Sequence, residues 1–249
     1  MSRSSPLRRP SRRPVHASFH QAAALALALA VSAMAAAPVL AGPALAATKA
    51  APPDAATLLF ETPQLAATKP GETLAYAYTR KVSDPELGAT FDDRIVLHVE
   101  ASAGGGDARD VKVDFFSAER HRAAGPFEDV TTNPVLLLFL ENHLADLAGR
   151  LKGNPRYFKN AIRSALRDAA TVEPAELSVG GKTLSGWRVS VSPFKGDTNA
   201  SRMRGLDSLV YSFDITPDLP GEIARIAISA EAPGGRLWEE SIAYDPKGI

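Results

Sequence analysis

The sequence predicts an α+β protein: a curved antiparallel sheet or incomplete barrel of seven to eight strands with an inserted helical hairpin. Two observations predict it. Hydropathy alternates with a period of two over several short stretches separated by turn residues. In the middle of the chain the period changes to 3.6, bracketed by Asn133-Pro134 and Asn154-Pro155. A sheet of that width must curl, and the hairpin is the one sizeable apolar element available to cover its inner face.

Leu74, Tyr76 and Tyr78, then Ile95, Leu97 and Val99, then Val111, Val113 and Phe115 mark three half-buried strands. Asp84-Pro85 and Gly104-Gly105-Gly106-Asp107 separate them, connectors short enough for antiparallel neighbours. Asn before Pro is an N-cap followed by the first helical position. Helix one is expected over about 134–151 and helix two over about 155–170, with Gly153 supplying a left-handed end to the first. After Pro174 the period returns to two. Leu177 and Val179 turn through Gly180-Gly181 into Trp187, Val189 and Val191, and Trp187 is expected in the core. Leu209 to Ile215, Ile226 to Ala230 and Trp238 to Tyr244 complete the strands.

Composition bounds location and chemistry. The 249 residues carry 28 Lys+Arg, 28 Asp+Glu and no Cys, which excludes disulfides, Cys–zinc sites, iron–sulfur clusters, thiol nucleophiles and an acylated lipoprotein cysteine. Five of the 28 basic residues (Arg3, Arg8, Arg9, Arg12 and Arg13) lie in the first 46 positions, which hold no acid, so 23 basic residues face 28 acidic ones in the remainder. That balance disfavours a nucleic-acid binder. The arginines precede the apolar run Ala22 to Pro38, and Ala44-Leu45-Ala46 follows. Basic, apolar and small-residue regions in this order read as a secretory signal peptide over 1–46, cleaved after Ala46, with Ala41 as an alternative. The run is short for an uncleaved anchor, so the mature chain is not expected to be an integral membrane protein. Ser11-Arg12-Arg13 leaves twin-arginine export open beside the general route. An exported chain without cysteine fits a bacterial periplasm. Residues 47–65 read as a flexible leader with a short helix around Leu58 to Phe60, and 66–249 as one β-rich domain with the hairpin at 134–170.

Few motifs carry chemistry. Gly181-Lys182-Thr183 lacks the first glycine of a phosphate loop, since 176 is Glu, and it lies between strands. Neither Gly-x-Ser-x-Gly nor His-Glu-x-x-His occurs. His143 and Asp146 share a helix face, but two ligands are few for zinc and a surface His is expected. Glu119 to Arg122 reads as a solvated loop. Asp92-Asp93 and Glu239-Glu240 point their members to opposite faces of a strand. No catalytic residue, cofactor or metal site is therefore expected. Lys152, Arg156, Lys159, Arg163 and Arg167, spaced by 4, 3, 4 and 4, fall on one face of helix two. They are either a solvated face or a docking face for an anionic envelope component.

The segment Tyr211 to Tyr244, with its turn Asp218-Leu219-Pro220-Gly221, resembles the half-barrel superfamily of periplasmic outer-membrane lipoprotein carriers in architecture. That resemblance implies an apolar cavity shielding acyl chains. The block Thr132-Asn133-Pro134 through Gly153-Asn154-Pro155 to Leu166 resembles uncharacterised exported proteins of alphaproteobacteria, which implies no activity. The leading expectation is thus a periplasmic non-catalytic binding or interaction protein with an apolar or lipid-like ligand inside the sheet. The alternative is an envelope structural or assembly factor docking an anionic partner through the basic helix, and an enzyme ranks third.

Overall fold

Nine strands hydrogen-bond into one open sheet in the computed structural model, which describes residues 52–248. The signal-peptide reading of 1–46 and the first residues of the expected leader lie outside the described residues. The strands are β1 (Thr73–Val82), β2 (Phe91–Ala101), β3 (Arg109–Phe115), β4 (Arg122–Val130), β5 (Thr171–Val179), β6 (Lys182–Val191), β7 (Val210–Ile215), β8 (Ile223–Ala232) and β9 (Gly235–Tyr244). Their spatial order is β4-β3-β2-β1-β9-β8-β7-β6-β5, every neighbouring pair antiparallel. Two meanders therefore meet at a central seam, where Tyr76 of β1 stands opposite Tyr244 of β9 and Tyr78 opposite Ile242.

The helical hairpin joins one sheet edge, β4, to the other, β5. It comprises α1 (Pro134–Leu151) and α2 (Pro155–Asp168). Each helix begins as its sequence requires. The Asn133 side chain accepts from the Val135 amide at 3.1 Å and Asn154 from the Arg156 amide at 2.9 Å, with Pro next in both. The left-handed end of α1 falls on Lys152, φ 49°, and not on Gly153 as expected. Gly153 answers a packing demand instead, because a Cβ there would lie 2.7 Å from the Phe158 ring.

The hairpin is inserted after the fourth strand, not the third. β4, over the stretch read partly as a solvated loop, is an edge strand with most of its residues exposed or half-exposed, two register shifts against β3, and Gly125-Pro126 within it. Such a strand carries no period-two signal. The segment expected as a flexible leader docks on the core: Ala55, Leu59 and Leu65 are buried, around one wide helical turn at Thr57–Glu61.

Tyr76, Tyr78, Phe139, Tyr211, Phe213 and Trp238 are fully buried between the hairpin and the sheet. Each such side chain contributes about 1.5–3 kcal/mol by leaving water. Trp187 is only half-buried. It occupies the expected face, opposite Ile215, but its other neighbour is the edge strand β5. The buried tryptophan is Trp238. Trp238→Ala is expected to cost about 3–5 kcal/mol in chemical denaturation, and Trp187→Ala clearly less. Equal losses would place the two rings in equivalent environments.

Candidate functional site

Two features of the hairpin bear on function, one on each side. On the sheet-facing side lies a sealed chain of polar groups. Glu240 of β9 is 1% exposed and His143 of α1 is 0% exposed. Glu240 Oε1 accepts from the Tyr78 hydroxyl at 2.7 Å, and Oε2 contacts His143 Nδ1 at 2.7 Å. His143 Nε2 lies 3.0 Å from the Tyr211 hydroxyl. A carboxylate only accepts, so the Nδ1 side of the ring donates to Glu240. His143 is thus buried, where a surface histidine was expected. Asp146, one turn further, shares its face and pairs with buried Arg80 of β1 and with Arg150 at 2.7 Å. Arg80 also lies 4.2 Å over the Trp238 ring. These pairs tie α1 to both sides of the β1–β9 seam.

Hydroxyl, imidazole and carboxylate in series have the connectivity of a nucleophilic triad. Here the hydroxyl is a tyrosine's, in the core. Burial, with the nearby Glu240 carboxylate, pushes the Tyr78 and Tyr211 hydroxyls far above the ordinary tyrosine range. Burial does the same for Tyr76, partly offset by its bond from Asn133. These groups are shut away from solvent, and their bonds join α1 to β1, β7 and β9.

On the outward side the hairpin carries a groove of about 500 Å³. Leu140 and Leu144 of α1 and Ile162 and Leu166 of α2 form its floor. Leu137, 51% exposed, and Phe60, 45% exposed, form its lips. Lys159, Arg163 and Arg167 of α2 line one side, and Glu141 is the acid of the lining. Of the five stripe residues, all exposed, these three reach the groove. Arg156 lies outside the lining, and Lys152 caps α1. Lys159 stands 3.7 Å from Glu141 and Arg167 pairs with Asp168 at 2.8 Å, while Arg163 has no ion-pair partner among the described residues.

The other two histidines of the described residues converge elsewhere. His98 and His121 each contact one oxygen of Asp114 at 2.9 Å, and these bonds, that of His121 first, hold the Asp114 carboxyl below its usual range. Among the described residues no three such side chains are placed to hold a metal ion together. None of the described helices is long and apolar enough to cross a membrane.

The sequence matches no family model, and comparison with curated proteins finds none similar to it.

Sequence reasoning did not assemble the Tyr78–Glu240–His143–Tyr211 chain. Its signal was present in the alternation Trp238, Glu240, Ile242, which places a carboxylate on an apolar face and so demands partners. Glu240→Leu orphans the Tyr78 hydroxyl and His143 Nδ1, and is expected to destabilise by about 3–5 kcal/mol in urea unfolding. Wild-type stability is expected to fall above about pH 10. There the unfolded tyrosines ionise while the buried ones retain their protons, so the contribution present at lower pH is lost. Phenolate absorbance should then rise with unfolding; a buried-tyrosine titration near pH 10 in the folded protein would contradict this.

Proposed function

We propose that the chain is an exported, non-catalytic binding or interaction protein of the bacterial periplasm that engages an anionic component of the cell envelope through the outer face of its hairpin. One observation carries this reading: an apolar floor and a row of cations share one groove. Exposed apolar surface rimmed by polar residues marks interaction sites, and a positive rim selects anionic partners by steering and by penalising cationic ones. The basic, apolar and small-residue order over 1–46 supports the location.

A second reading, an envelope structural or assembly factor, draws support from the packing beneath the hairpin. Tyr76, Tyr78, Phe139, Tyr211 and Trp238 fill the space in which an apolar ligand was expected. The groove, by contrast, opens outward.

The experiment is a photo-crosslinker at Leu137 in the exported protein. N-terminal sequencing of the periplasmic form is expected to start at Ala47. Crosslinks are expected to disappear when Lys159, Arg163 and Arg167 are changed together to Gln, and to weaken as salt shortens electrostatic reach to about 8 Å. The triple change should alter stability by less than about 1 kcal/mol, because exposed charges contribute little. Crosslinks that ignore both charge and salt, or a membrane-bound form starting at Met1, would overturn the reading.

A further inference from the structure

Resting on the reading of the groove as a binding face, the charge row points to the class of partner. Lys159, Arg163 and Arg167 recur every four residues along α2, so they mark one edge of the groove over about 12 Å at 1.5 Å per residue. A single anionic headgroup meets one or two such cations. A row with helical spacing, parallel to an apolar slot between two helices, is matched by a third helix carrying carboxylates at the same spacing and apolar residues beside them. Helix-in-groove recognition has this form, with apolar anchors one turn apart in the slot and charges along its margin. We propose that the groove receives an amphipathic helix of a partner protein, acidic along the edge that faces α2.

Charge excludes the nearer occupants. A second copy of this chain presenting the same face would bring together two linings that each carry three cations against one acid. Residues 1–46, with five arginines and no acid, lack the negative charge that such a row selects. An acidic helix instead completes a three-helix layer. It covers Leu137 and Phe60, both about half exposed, and gives Arg163 the ion pair it lacks among the described residues.

Two labelled peptides of about 18 residues, long enough to span the groove as helices, test this. Both carry Leu at every third or fourth position; one has Glu along a single flank and the other Lys at the same places. Fluorescence anisotropy is expected to show the Glu peptide binding the wild-type protein about tenfold or more tighter than the Lys peptide. The preference should invert for the variant Lys159→Glu, Arg163→Glu, Arg167→Glu. Leu137→Ser, a change at an exposed position, should weaken the Glu peptide severalfold. Equal binding of the two peptides, or a preference that survives charge reversal, would overturn the proposal. Phosphatidylglycerol vesicles supply the contrast. Vesicles bound through Arg163 with no binding of the Glu peptide would replace the helix by a lipid surface and leave the groove as a binding face. Failure of both probes would overturn the groove reading with it.

Discussion

A carboxylate buried at the centre of a sheet is the constraint on which the rest of the molecule turns. Glu240 stands on the inner face of β9, beside the seam with β1, and is shut away from water. An unpaired charge there would cost several kcal/mol, so its oxygens must be met by donors. Tyr78 meets one from the adjacent strand, and His143 meets the other from the helix above. The imidazole is steadied in turn by Tyr211, on β7. Four elements are thereby held in register by hydrogen bonds that tolerate little displacement. The Arg80–Asp146 pair repeats the tie one helical turn further on. Apolar packing supplies most of the attraction between hairpin and sheet. The polar chain decides where the hairpin sits.

Fixing the inner face of α1 defines the outer one. Leu137, Leu140, Glu141 and Leu144 are presented outward because His143, Asp146 and Phe139 are committed inward. On α2, Phe158 packs on Phe194, with ring centroids 5.8 Å apart, while the basic row stays in water. Each helix thus has a structural side and a free side. The free sides meet along the groove, whose floor of Leu140, Leu144, Ile162 and Leu166 is buried although the groove opens at the surface.

Much of this was legible in the sequence because periodicity reports burial. Strands with one wet and one dry face, such as Ile95–Val99, declare themselves, and so do helices begun by Asn-Pro. β4 was not legible because solvent reaches both of its faces, and nothing selects an alternating pattern there. The wrong tryptophan was favoured because alternation gives the face of Trp187 but not its distance from the sheet edge. For Glu240 the face was legible too. Its partners were not, since the nearest in sequence, Tyr211, belongs to the chain only through His143, 97 positions away from Glu240. The spacing of the basic row was readable, whereas the apolar slot beside it requires knowing how α1 and α2 lie together.

The strand order also governs when the molecule can become whole. β1 and β9 are neighbours at the middle of the sheet, yet Tyr76 and Tyr244, which face each other across the seam, are 168 positions apart. Closing so long a loop is entropically slow. Until residues 235–244 have left the ribosome, the chain can form only two separate half-sheets, each with an unpaired edge where the centre should be. The buried polar chain spans that seam and assembles last. A polypeptide built this way stays unfinished, and open to capture by chaperones, until its ninth strand has been made.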